Sequence, residues 1–181
     1  MRKNIGYIIL FLMLCGFGSK PNKSGMNLLE LKVVELLNDV RKDPKGFEEH
    51  IIAPMLKEAP TDEYLITLSA TLKEMKPAGE LIGDAKLYQS AFCHAKGIGS
   101  KGLSTHERQS SSCKEKMTFN GECIAYGNGK PSDILIQLLV DRGVPSYGHR
   151  KICLDSRYKL IGVSLEKHSV WGRCTVLDFS L

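Results

Sequence analysis

The sequence predicts an α+β fold in which helices lead and an antiparallel hairpin closes the chain. Two observations carry this. Apolar residues recur at helical spacing in separate blocks between Asn27 and Asp141, and from Leu160 to Phe179 they alternate with period two instead. The chain has 181 residues, of which 43% are hydrophobic and 25% charged, the balance of one globular domain with a sizeable core.

The elements follow in order. Asn27 stands three residues before Glu30 in a capping-box layout, and Leu29, Val33, Leu36 and Val40 continue as the apolar stripe of a first helix. Asp43-Pro44 opens a short second helix through Phe47, Ile51 and Ile52, which Pro54 is expected to close. Thr61 or Asp62 caps a third, with Leu65, Leu68, Leu72 and Met75 on one stripe and Pro77 and Gly79 ending it. The fourth runs from Asp84 to about Lys96; Leu87, Ala91, His94 and Ile98 share a face, which reads His94 as a core-edge histidine bonded to backbone. From Gly97 to Gly121 the periodicity is lost, and the glycine- and serine-rich stretch reads as a long loop. Ile124 to Tyr126 makes a short strand, Gly127-Asn128-Gly129 a turn, and Pro131 with Ser132 or Asp133 starts a fifth helix ending near Asp141 and Gly143. Ile161, Val163 and Leu165 pair with Cys174 to Phe179 as a hairpin around Lys167 to Val170.

Residues 1–18 have the layout of an export signal: Arg2-Lys3, an apolar run from Tyr7 to Phe17 too short to span a bilayer, then small residues. A linker over 19–26 and one domain over 27–181 complete the division. Leu14 occupies the place where lipoprotein signals want a small residue, so the reading is export, with membrane attachment only if Cys15 is lipidated. Losing Arg2 and Lys3 lowers the net charge from +5 to +3, and no basic stripe remains to track phosphates, which argues against nucleic acid. Five cysteines follow the signal, none at C-x-x-C spacing; an oxidising destination favours two disulfides and one free thiol over a structural zinc cluster.

Chemistry concentrates in Gly143 to Lys151, GVPSYGHRK, where glycine and proline restrict a loop that presents His149. His106 with Glu107, and Glu122 within Gly121-Glu122-Cys123, lie upstream in separate loops. Arg150 and Tyr147 are possible ligand contacts, although an arginine so placed more often pairs with an acid or is solvated. Ser104 lacks the G-x-S-x-G elbow of a serine nucleophile, and Cys123 has no supporting motif.

Several separated segments resemble the CAP superfamily of cysteine-rich secretory, antigen 5 and pathogenesis-related proteins, in its bacterial SCP-like branch. They are LLNDVRKDPKGF at 36–47, His106 after Gly102-Leu103-Ser104-Thr105, GECIAYG at 121–127, GVPSYGHRKICL at 143–154 and the ending TVLDF at 175–179. The resemblance implies an α-β-α sandwich with a central antiparallel sheet between helical layers and a cleft of two histidines and two acids. His106 and His149 look like the cleft histidines and Glu122 like one acid; the second is Asp141 or Glu107. Cys123 stands where the family carries asparagine. The fold so implied brings late elements together and makes Cys153 with Cys174 the first choice for a bridge.

Two neutral imidazoles can hold zinc or another divalent cation with water completing the shell, while a carboxylate orients a ring or takes a proton from that water. The expected function is an exported binding or interaction module for an extracellular partner or small ligand, with such a metal-holding cleft. The alternatives are a metal-assisted, peptidase-like hydrolase with Glu122 as base, and a protein that binds sterol or another lipid.

Overall fold

A computed structural model describes residues 23–127 and 129–181. The expected export signal lies outside the described residues, and no helix among them is long and apolar enough to cross a membrane. The linker's last residue, Met26, is buried in the core.

Local signals set most helix starts. Helix α1 (Leu28–Lys42) begins with the Asn27–Glu30 capping box, Asp43 caps α2 (Pro44–Phe47), and Asp62 caps α4 (Glu63–Glu74). Pro54 does not close the second helix. The chain widens into a π turn over Glu48–Ile52, where the Ala53 N–H bonds back to the Glu48 carbonyl, and runs on as α3 (Ala53–Glu58) with Pro54 in its first turn. A proline there removes no hydrogen bond that the helix needs.

Strand β1 (Ile82–Gly83) leads through the Asp84 cap into α5 (Ala85–Lys101). Helix α5 outlasts the expected end near Lys96 because its late glycines serve packing. A Cβ on Gly99 would lie 2.1 Å from the Lys167 carbonyl oxygen, so the helix closes on the sheet only without one. Gly102, at φ 68°, supplies its left-handed C-cap. The segment read as a long loop therefore begins only at Gly102, and it is interrupted by α6 (Ser111–Lys114), which Ser110 caps.

Strand β2 (Gly121–Tyr126), α7 (Pro131–Val140), α8 (Gly148–Leu154), β3 (Leu160–His168) and β4 (Gly172–Ser180) complete the chain. The sheet order is β1-β3-β4-β2. β3, β4 and β2 are antiparallel as expected, but β1 adds a short parallel pairing through Ile82 and Leu160. Two residues are too few for an alternation pattern, so β1 leaves no periodic signal.

The alternation of β2, β3 and β4 divides the interior into two apolar layers. Cys123, Val163, Leu165, Leu177 and Phe179 join residues of α1, α4, α7 and α8, while Ile124, Cys174 and Val176 meet Ala91, Ala95 and Ile98 of α5. On the second face α5 sits so close that a Cβ on Gly162 would lie 2.1 Å from Leu87 backbone. These two helical layers about a sheet are the expected sandwich, and β2 is its edge strand toward α7 and α8.

Candidate functional site

Consecutive residues of β2 serve opposite layers. Glu122 faces the α5 side and Cys123 the α8 side, so a single edge strand touches both arms of the site.

The first arm is the segment after α5. His106 is 62% exposed at its side chain, and its Nδ1–H donates to Glu122 Oε1 at 2.7 Å. The other Glu122 oxygen lies 2.6 Å from Arg108 Nη1, and the buried guanidinium also reaches Asp178 at 3.4 Å. Asp178 is the direct cross-strand partner of Glu122, so the β2–β4 register itself sets two carboxyls side by side on the α5 face. One guanidinium cannot neutralise two buried carboxylates, and a proton resolves the conflict. Burial, then the Glu122 charge, pushes the Asp178 carboxyl up to about 8. Burial also pushes Glu122 upward, but the His106 hydrogen bond, Arg108 and His94 outweigh it and hold Glu122 below the usual carboxylate range. His106 is raised by its bond to Glu122.

His94 is fully buried on α5, as its position on the apolar stripe implied. Its Nε2–H donates to the Thr105 carbonyl at 3.1 Å, and burial lowers it to about 4, so it is neutral at physiological pH. It braces the first arm from beneath, 3.8 Å from Glu122. The Cys93–Cys113 disulfide, joining α5 to α6, ties the same segment back to the helix. The expected Cys153–Cys174 bridge does not form, because the two residues lie in different apolar layers on opposite sides of the sheet.

The second arm is the start of α8. The loop reading of GVPSYGHRK holds only to Tyr147; His149 stands in the first turn of α8. Its Nδ1–H donates to Asp141 Oδ1 at 2.7 Å, while Asp141 Oδ2 accepts the backbone N–H of His149 at 3.0 Å and of Arg150 at 3.2 Å. Asp141, itself in the left-handed C-cap of α7, thus caps the next helix and orients its histidine. Of the two acids left open by the sequence, Asp141 is the buried one that meets a histidine. Glu107 is exposed and lies outside the cleft wall.

His106 and His149 line one cleft of about 810 Å³, together with polar Ser104, Asp133, Asp141 and Arg142 and apolar Met55, Ile124, Ile136, Val140 and Val144. Neither Arg150 nor Tyr147 reaches this wall. The Arg150 guanidinium turns inward to the carbonyls of Leu139, Val140 and Tyr64 and stacks 4.3 Å from the Tyr147 ring centroid. Ser104 and Tyr126 both line this cleft. Trp171, half-exposed at the hairpin tip, packs beside Tyr126 at 6.0 Å between centroids.

A sequence profile of the cysteine-rich secretory protein family, CAP, matches residues 34–179. The chain belongs to that family. The match takes in both arms of this CAP domain's cleft, from α1 to the end of β4. A search of curated proteins finds no significant match.

Sequence reasoning missed Arg108 and Asp178. Asp178 did leave a signal: it follows Cys174 and Val176 on the inward face of an alternating strand, where an acid needs a buried partner. Arg108 left none beyond its proximity to His106. Between the ordinary carboxylate range and about pH 8, folded Asp178 keeps a proton that the unfolded chain has lost, so stability falls as pH rises across that window. Asp178→Asn imitates the protonated form and is expected to flatten this slope in urea titrations between about pH 5 and about pH 9. An unchanged slope would mean that Asp178 is ionised in the folded protein.

Proposed function

We propose that this CAP domain is an exported binding module whose cleft takes a small or extended ligand and can hold a divalent cation between His106 and His149. The carrying observation is the matched treatment of the two imidazoles. Each Nδ1–H is bonded to a buried carboxylate at 2.7 Å, and both rings line the same cavity. That leaves Nε2 of each ring as the nitrogen for an electrophile, with Glu122 and Asp141 as the outer groups that fix ring orientation. No three His, Cys, Asp or Glu side chains converge as a metal cluster among the described residues. The two Nε2 atoms are the protein nitrogens that such an ion would take, with water completing its shell. A bound ion would supply Lewis acidity toward a ligand oxygen.

The mixture of apolar and polar lining favours a ligand with an apolar body and a polar end, which includes lipids. Hydrolysis draws less support from the geometry. As a general base Glu122 would need a free oxygen, yet one faces His106 and the other Arg108, and the group is held below the usual carboxylate range.

Calorimetric zinc titration of the purified domain is expected to show saturable binding, weakened at least about tenfold in His149→Ala and in His106→Ala, with Asp141→Asn about tenfold weaker through misorientation of His149. Equal weak binding by all four proteins would remove the metal from this account.

A further inference from the structure

Cys123 and Cys153 meet behind the cleft wall. Both are fully buried as free thiols in the same apolar layer, and Cys153 stands on α8 one helical turn after His149. Cys123 also points its S–H toward the His149 carbonyl at 3.7 Å. Cys174 is excluded from this pairing, since it lies on the other face of the sheet with its thiol on the Ala95 carbonyl at 3.4 Å. The chain already carries the Cys93–Cys113 disulfide, which belongs to conditions where a juxtaposed dithiol also oxidises.

We propose that Cys123 and Cys153 form a second disulfide, fastening β2 to α8 directly behind the cleft. The oxidant is a disulfide carrier, for which glutathione disulfide serves as the probe. One cysteine gives up its proton, attacks a carrier sulfur and displaces a carrier thiolate. The other then gives up its proton, attacks the protein sulfur of the mixed disulfide and displaces the second thiolate. Two protein S–H bonds and the carrier S–S bond are lost, one protein S–S bond and two carrier thiols are formed, and two electrons pass to the carrier.

Burial pushes the Cys123 thiol well up, so Cys123 is a poor nucleophile once packed. Closure therefore belongs to folding, while β2 and α8 still separate. The link would join the residue beside Glu122 to the helix whose first turn carries His149, tying the two arms together through the edge strand. It is independent of any metal or ligand.

The test refolds the full chain with reduced and oxidised glutathione until Cys93–Cys113 is fully oxidised. Remaining thiols are alkylated in guanidinium chloride, and the unreduced digest is mapped by mass spectrometry. The expected result is a Cys123 peptide linked to a Cys153 peptide in most molecules, with Cys174 alkylated. Alkylation of both Cys123 and Cys153 in most molecules, or linkage of either to another cysteine, would overturn the proposal. Cys174→Ala is expected to keep the link; Cys153→Ala is expected to leave Cys123 alkylated.

Discussion

Glu122→Ala is expected to lower the unfolding free energy by about 3–5 kcal/mol, because it removes one partner from a buried charge cluster and leaves Arg108 beside a protonated acid. Urea titration at neutral pH reads the loss. Asp178 can soften it by giving up its proton and pairing with Arg108 at their 3.4 Å separation. Adding Asp178→Asn blocks that escape, so the double variant is expected to lose more than the two single losses combined. Additive losses would mean that the two carboxyls do not share Arg108.

The same variant has a readout that packing alone would not move. His106 is raised by its bond to Glu122, so its imidazole titration, followed by NMR, is expected to fall toward the ordinary range in Glu122→Ala. Stability from the raised His106 is fully present below the unfolded imidazole range and fades as pH rises through the folded value. Glu122, held low, contributes above the unfolded carboxylate range and loses its contribution as pH falls through its folded value. The cluster is therefore weakened from both sides, by acid at Glu122 and by alkali at His106 and Asp178.

Arg41→Leu is expected to lower stability by roughly 3–5 kcal/mol, through stranded carbonyls and not through a lost ion pair. Arg41 is fully buried, and its guanidinium donates to the carbonyls of Gly79 at 3.0 Å, Cys153 at 3.0 Å, Asp155 at 2.8 Å and Tyr158 at 3.1 Å. No leucine can satisfy those oxygens, and lysine lacks the planar fork that spans them, so Arg41→Lys is expected to recover little. Because the fork grips the connection from α8 to β3, amide exchange over residues 148–158 is expected to quicken in both variants. A stability loss under about 1 kcal/mol would show that water replaces the fork at little cost.

Elements with their own caps were legible in the sequence. Asn27, Asp43, Asp62 and Asp84 each cap the helix predicted after them, and the alternation from Leu160 to Phe179 did form the central hairpin. Where a helix borrows its support from elsewhere, the local reading stopped short. Helix α8 has no adjacent side-chain cap, since the acceptor for its first N–H groups is Asp141, eight positions before His149. Helix α5 continues through glycines because the Lys167 carbonyl fills the space where a Cβ would stand.

For the candidate site, the sequence by itself identified both histidines, Glu122 and the choice between Asp141 and Glu107. It determined these because side-chain chemistry and motif order survive without coordinates. Only the tertiary structure decided which acid holds which imidazole, that Asp178 and Arg108 lie beneath Glu122, that Arg150 turns inward, and that Cys153 shares its layer with Cys123 and not with Cys174. The physical reason is common to all four. Each depends on which face of the sheet, or which end of a neighbouring helix, a side chain meets, and register and layer packing set that across dozens of residues, beyond the reach of local spacing.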